Sequence, residues 1–290
     1  MEDKIGLWDW TLLRNLLILI LALIGLAIKR INPFKAVPRA MWGVLFGRVL
    51  TSTLLNMFMN VSLELIPYSL LVVLYQTNPF MTSILSYCVN GEKINKVEAL
   101  GMVLSFTAVG FIAYSAEQSA EVEDEIAEIE EGAQKSATQY LLGIGFILLA
   151  AACVSGSAVF NRSLKTIDFN VVMVYQGIFG ILIASSYEVG RTVISGHDES
   201  IWRLVSLYTA SDAGFLGLGL LMDVGGIFCL TIAYQKSEAG FVSLVGFVRI
   251  VYALLVDVFI FEESIGFVAI AGSGVICLVT IVVAVDKMMK

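Results

Sequence analysis

The chain has 290 residues, 58% of them hydrophobic and 15% charged, with a formal net charge of −7 and a mean hydropathy of +0.86. Average soluble chains carry about a quarter charged residues, so this composition excludes an ordinary soluble domain. The basic residues are scattered over loops, which argues against a nucleic-acid partner, and one histidine with no Walker sequence offers no zinc constellation, nucleophile or ATP site.

The first apolar run is Trp10 to Ile28, closed by Lys29, Arg30 and the breaker pair Asn32-Pro33. The start, Met1-Glu2-Asp3-Lys4, lacks the positive region and small-residue cleavage site of a signal peptide. A second run, Met41 to Leu65, carries Arg48, Asn56, Asn60 and Glu64, a polarity that suits a helix packed against others or lining a cavity. Third and fourth runs follow at Pro67 to Val89 and Val97 to Tyr114. Glu117 to Glu131 then holds only acidic charges and reads as a solvated connector, helical or disordered. Beyond it come Gln139 to Phe160, Val171 to Tyr187, Ala213 to Ala233, Ala239 to Phe261 and Ile265 to Val285. A spanning helix takes about 20 apolar residues, so these runs predict an all-α integral membrane protein with nine spans. They lack the alternation over about ten residues that marks a barrel strand.

The stretch Ile66 to Tyr114 recurs. Shifted by 171 positions it lies on Ser237 to Val285, bringing Gly91-Glu92 over Glu262-Glu263 and Gly101 over Gly272. Aligning Ile167 with Ile5 places Val171 to Tyr187 over Trp10 to Ile28 and leaves Gln139 to Phe160 without a counterpart. The expectation is ten helices in the complete fold, with the first absent here: residues 1–116 as a first half, 117–138 as the acidic connector and 139–290 as a second half. Halves with an odd number of helices insert with opposite polarity, which is the inverted repeat of secondary transporters.

Lys and Arg in the short loops set the orientation. One side collects Lys29, Arg30, Lys35, Arg39, Lys93, Lys96, Arg162, Lys165, Lys236, Lys287 and Lys290, the other only Lys4, Lys135, Arg191 and Arg203. That excess predicts a cytosolic C-terminus. No retention or lipid-anchor motif distinguishes plasma membrane from endomembrane such as Golgi or ER.

Ile66-Pro67-Tyr68, Asn78-Pro79-Phe80, Gly91-Glu92, Ser237-Glu238-Ala239 and Phe261-Glu262-Glu263, with the five-plus-five arithmetic, resemble the drug/metabolite transporter superfamily in its EamA-type members. The resemblance covers nearly the whole chain but rests on short motifs, so it specifies fold better than substrate. It implies a ten-helix transporter of small metabolites that works by exchange or proton coupling. The sequence departs from that pattern in lacking the first helix and in having Ile250 where the first copy has Pro79. A non-transporting membrane subunit or scaffold that keeps the fold is the alternative.

Candidate site residues follow from cost. A charge at the bilayer centre costs about 2.5 to 3.5 kcal/mol on insertion scales, so it faces protein or water. Arg249 and Asp223 lie deep in their spans and are placed to pair, and Arg48 lies nearer the cytosolic side. They serve either as packing ion pairs or as a site in which Arg holds a carboxylate or phosphate and Asp223 balances charge or takes up a proton. Under the repeat Asn78 falls on Arg249; Tyr75, Gln76 and Pro79 surround the first, and Tyr252 stands by the second. Asn56 and Asn60 share a face, Gln176 and Tyr175 face inward from the second half, and Asp257 lies beyond Arg249 as a gate or a salt-bridge partner. Gly43 and Gly47, with the glycines from Gly214 to Gly226, predict tight packing. Cys88, Cys153, Cys229 and Cys277 are expected as buried thiols, and His197 as a solvated loop residue. The expected partners are a small-molecule solute and the bilayer, with a homodimer as a candidate assembly. No cofactor, metal or catalytic residue is expected.

Overall fold

A computed structural model describes residues 7–66, 71, 74–92, 94–127, 137–195, 210–248, 250–252, 255 and 267–289. Among them are nine α-helices: α1 (Leu7–Lys29), α2 (Trp42–Leu65), α3 (Asn78–Asn90), α4 (Lys96–Ala127), α5 (Ala137–Ser163), α6 (Phe169–Ser195), α7 (Ala210–Lys236), α8 (Ala239–Val245) and α9 (Phe267–Met288). Five stretches are long and apolar enough to cross a membrane: Asp9–Lys29, Arg39–Leu65, Leu141–Ser163, Phe169–Tyr187 and Gly214–Lys236. No strand occurs among the described residues.

Two expected runs have a different form. Pro67 to Val89 is interrupted by a turn at Gln76 and Thr77, after which α3 starts with Pro79 in its first turn. Proline has no N–H to offer the carbonyl four residues back, that of Tyr75. The Asn78 side-chain amide supplies the missing donor at 3.0 Å. The second copy breaks alike, α8 ending in a turn at Gly246 and Phe247. The acidic connector is helical as far as Ala127, because α4 continues past the apolar run that was expected to end at Tyr114.

The helices cluster into two compact units, and each unit combines helices from both halves of the sequence. The first comprises Met1–Asn60 and Phe160–Lys236. Its core joins Ile18, Ala22 and Leu26 of α1 to Leu45 and Val49 of α2 and Val171 to Val174 of α6. α1 and α6 meet through glycine. A Cβ on Gly177 would lie 2.9 Å from Leu19 Cβ and 3.1 Å from the Asn15 carbonyl oxygen, and one on Gly25 would lie 2.6 Å from Asn170 Oδ1. Of the glycines expected to pack, a Cβ on Gly47 would lie 3.0 Å from the Phe160 ring and one on Gly219 3.3 Å from Trp10, whereas one on Gly43, Gly214, Gly217, Gly225 or Gly226 would meet nothing within 4 Å.

One end of this unit gathers its basic residues. α1 closes with Arg30 in the left-handed region at φ 55° while the Ile31 N–H reaches back to Leu26. This is a helix stop that normally favours glycine. Lys29 Nζ lies 2.6 Å from Asp168 Oδ2 and 4.9 Å from the centre of the Phe169 ring. Asp168 also accepts the Asn170 N–H at 2.9 Å, which caps α6. Burial pushes the Asp168 pKa up, but the bonds from Lys29 and Asn170 outweigh it and hold the carboxyl below its ordinary value. Gln235 donates to the carbonyls of Leu164 and Ile167, and its backbone carbonyl accepts from Arg162.

The second unit comprises Val61–Val159 and Ser237–Lys290. α4 packs on α9 where Gly101 meets Val279 and Val283. α3 packs on α8 at Gly240, where a Cβ would lie 2.8 Å from Ser83 Oγ. The Glu92 carboxylate accepts from the Ser86 hydroxyl and from the Ala239 N–H, and so caps α8 from the end of α3. Cys88 and Cys229 are exposed rather than buried, because each sits on the outward face of its helix.

Candidate functional site

A small cavity with polar side chains in its wall lies in the first unit. Thr11 and Asn15 line it from α1, Ser52, Thr53, Asn56 and Met57 from α2, and Gln176, Gly180, Ile183 and Ala184 from α6. The recurrence of its residues every four positions follows from helix geometry, in which i and i+4 share a face. Thr11 and Asn15 are one such pair, and Ser52 and Asn56 another. The volume is about 10 Å³, the scale of a single water.

Hydrogen bonds within helices hold part of the lining in place. The Asn15 amide donates to the Thr11 carbonyl at 2.7 Å, Thr53 to Val49 at 2.9 Å, and the Asn56 amide to Ser52 at 2.9 Å. That leaves the Asn56 carbonyl oxygen for Arg14, whose Nη2 donates to it at 2.7 Å. Arg14 Nη1 lies 3.8 Å from Asp223 Oδ2. A chain of contacts thus runs from the cavity wall through a guanidinium to a carboxylate in the middle of α7.

Two polar groups beside this chain are left open. Gln176 is 6% exposed, and its Oε1 has no hydrogen-bond partner among the described residues. Arg48, 4% exposed, lies one turn before Ser52 on the same row of α2, and its Nε and Nη1 have no partner among the described residues. Native interiors seldom leave buried polar atoms unpaired, and those that do so point to a function or to a bound group.

Of the residues proposed from sequence, Asn56 and Gln176 line this cavity, Asp223 joins it through Arg14, and Arg48 lies one turn away. Arg249, the expected partner of Asp223, lies outside the described residues, as do Asp257 and His197. Tyr75, Gln76 and Asn78 come together at the helix break of the second unit, where Ser155 Oγ lies 3.0 Å from the Asn78 carbonyl oxygen. Gln76 and Asn78 are buried, whereas Tyr252 is 65% exposed and points outward. Sequence reasoning passed over Arg14, Asn15 and Thr11. The available signal was one arginine inside the first apolar run, with a threonine and an asparagine flanking it at helical spacing.

The match to known proteins bears on this unit directly. Residues 1–114 match the EamA-like transporter family. That stretch contains α1 and α2, which supply Arg14, Asn15, Arg48 and Asn56. A probable transport protein of Saccharomyces cerevisiae is 25% identical over 246 residues, which is 80% of this chain and 64% of that protein. The chain therefore spans somewhat less than two thirds of this relative. A solved structure described only as a crystal structure of protein superposes with a TM-score of 0.74 at 13% identity, covering 97% of this chain and 88% of that one. The long apolar helices, with no strand among the described residues, make this an all-α membrane protein, and its first 114 residues are similar to the EamA-like transporter family.

Proposed function

We propose that the chain moves a small polar metabolite across its membrane by alternating access, through exchange or proton coupling, and that the first unit's cavity marks the solute route. The observation that carries this is the polar cluster of buried Asn15, Ser52 and Gln176 with half-buried Asn56, joined to Arg14 and Asp223 beside an apolar core. Placing such groups in a membrane helix is costly unless they meet protein, water or solute.

A cavity for one water is too small for a metabolite, so admission of solute requires α1, α2 and α6 to part. Asp223 is the group that takes up a proton, since its protonation releases Arg14 from the ion pair. Arg249 and Asn78 stand in this reading as matched polar positions of an inverted repeat. The basic end bearing Lys29, Arg30, Lys35, Arg39, Arg162, Lys165 and Lys236 faces the cytosol together with the C-terminus.

The test is counterflow in proteoliposomes with a panel of labelled amino acids, hydroxy acids and sugar phosphates. At least one solute is expected to exchange faster than in protein-free liposomes, and Asn56→Leu is expected to reduce that exchange at least tenfold. A panel that shows no exchange above background refutes transport and favours a scaffold role.

A further inference from the structure

Arg14 and Arg48 bring two positive charges into the first unit among its described side chains, and Asp9 and Asp223 two negative ones, but the charges are not matched place by place. Arg14 is matched to Asp223. Asp9 lies in the first turn of α1, about 30 Å along that helix from Lys29 at about 1.5 Å per residue. Arg48 lies near the Lys29 end, about 9 Å into α2, and no carboxylate pairs with it among the described residues. Beside Arg48 lies the buried phenol of Tyr234. A buried guanidinium with free Nε and Nη1 donors is unfavourable as packing, because removing a charge from water has to be offset by an opposite charge.

Ser52, one turn from Arg48, lines the cavity, and so does Gln176, whose open atom is an acceptor. Arg14 Nε, Asn60 Nδ2 and Asn161 Oδ1 are open as well in this unit, and Arg48 with Gln176 adds a cationic donor and a neutral acceptor. Their complement is a molecule with an anionic oxygen and a hydrogen-bond donor of its own.

We propose that Arg48 is the anion-recognising residue of the solute site, and that the solute is a small organic acid or phosphate ester carrying a hydroxyl or amino group that donates to Gln176. This rests on the transport reading above and names the substrate class for the same site. Arg48 holds the charged oxygen through charge-assisted hydrogen bonds. Gln176 distinguishes a hydroxy or amino acid from a plain one.

The experiment uses purified full-length protein in detergent and follows its thermal midpoint at constant ionic strength. The probes are lactate, inorganic phosphate, propionate, which lacks the donor, and glycerol, which lacks the charge. Lactate or phosphate is expected to raise the midpoint relative to chloride, propionate less than lactate, and glycerol not at all. Arg48→Gln is expected to weaken the apparent affinity for the anion at least tenfold, and Arg48→Lys is expected to restore part of it. Without any probe Arg48→Gln is expected to melt higher than wild type, since it removes a charge that lacks a partner. A probe-free midpoint that falls in Arg48→Gln overturns the proposal, because it assigns Arg48 to structure. So does an anion response that persists in that variant, or wild-type protein that ignores both anions. Failure of the two readings is distinguishable. Anion binding without counterflow of any solute removes transport and leaves this site, whereas counterflow of neutral solutes without an anion response removes this site and leaves transport.

Discussion

Gly177→Ala is the sharpest test of how α1 and α6 are joined. The new methyl would lie 2.9 Å from Leu19 Cβ and 3.1 Å from both Leu19 Cα and the Asn15 carbonyl oxygen. Two of these three atoms are backbone, so the strain cannot be relieved by a rotamer change, and the helices must separate by several tenths of an ångström. Overpacking of this kind costs about 1–3 kcal/mol, and alanine returns about 1 kcal/mol of helix propensity. The net expectation is destabilisation by about 0–2 kcal/mol. Gly226→Ala on α7 is the control, because its methyl meets nothing within 4 Å and only the propensity gain remains. The assay is equilibrium unfolding of both variants in mixed micelles beside wild type. Equal stability of the two variants, or a gain in Gly177→Ala, would refute the close approach of α1 to α6.

Other outcomes follow from the same geometry. Arg30→Gly is expected to stabilise the protein by about 1 kcal/mol, since glycine reaches φ 55° without the strain of a side chain; equilibrium unfolding measures it. Asp168, held below its ordinary pKa, contributes stability that is full above the unfolded value near 3.9 and is lost as pH falls through the lowered folded value. Thermal midpoints recorded from pH 6 to pH 3 are therefore expected to fall more steeply in wild type than in Asp168→Asn. Asn78→Leu removes the donor that replaces the Pro79 N–H at the Tyr75 carbonyl, at a cost of about 0.5–1.5 kcal/mol in the same unfolding assay. Asp223→Asn is expected to destabilise by about 1–3 kcal/mol by leaving Arg14 without its anion, and Arg14→Gln added to it is expected to recover most of that loss.

Much of the fold was legible because apolar length is a direct signal. Trp10 to Ile28 anticipates α1 to within a few residues, and Met41 to Leu65 anticipates α2. The helix break was only half visible: Pro79 announces a freed carbonyl, but the turn at Gln76 and Thr77 depends on how Asn78 and Ser155 settle that carbonyl and the one beside it. Which helix of one half packs on which helix of the other could not be read from periodicity. That information sits in isolated small residues such as Gly25 and Gly177, while the glycine-crowded run of α7 drew attention and proves mostly open. At the site, depth alone picked out Arg48 and Asp223. Arg14 was missed because it lies near the beginning of its apolar run, where an arginine is ordinarily interfacial, and only the side chains of α2 and α7 reveal its inward contacts.

The capping of α8 by Glu92 has a mechanical consequence. α3 ends at this carboxylate and α8 begins at it, so the two short helices run in opposite senses from one shared fastening. Both interruptions, at Gln76–Thr77 and at Gly246–Phe247, lie at the ends away from it. A pair of rods clasped at one end opens like shears. Small rotations about Glu92 become the largest displacements at the two interruptions, where the backbone already departs from regular helix. Glu92→Gln loosens that clasp without removing it.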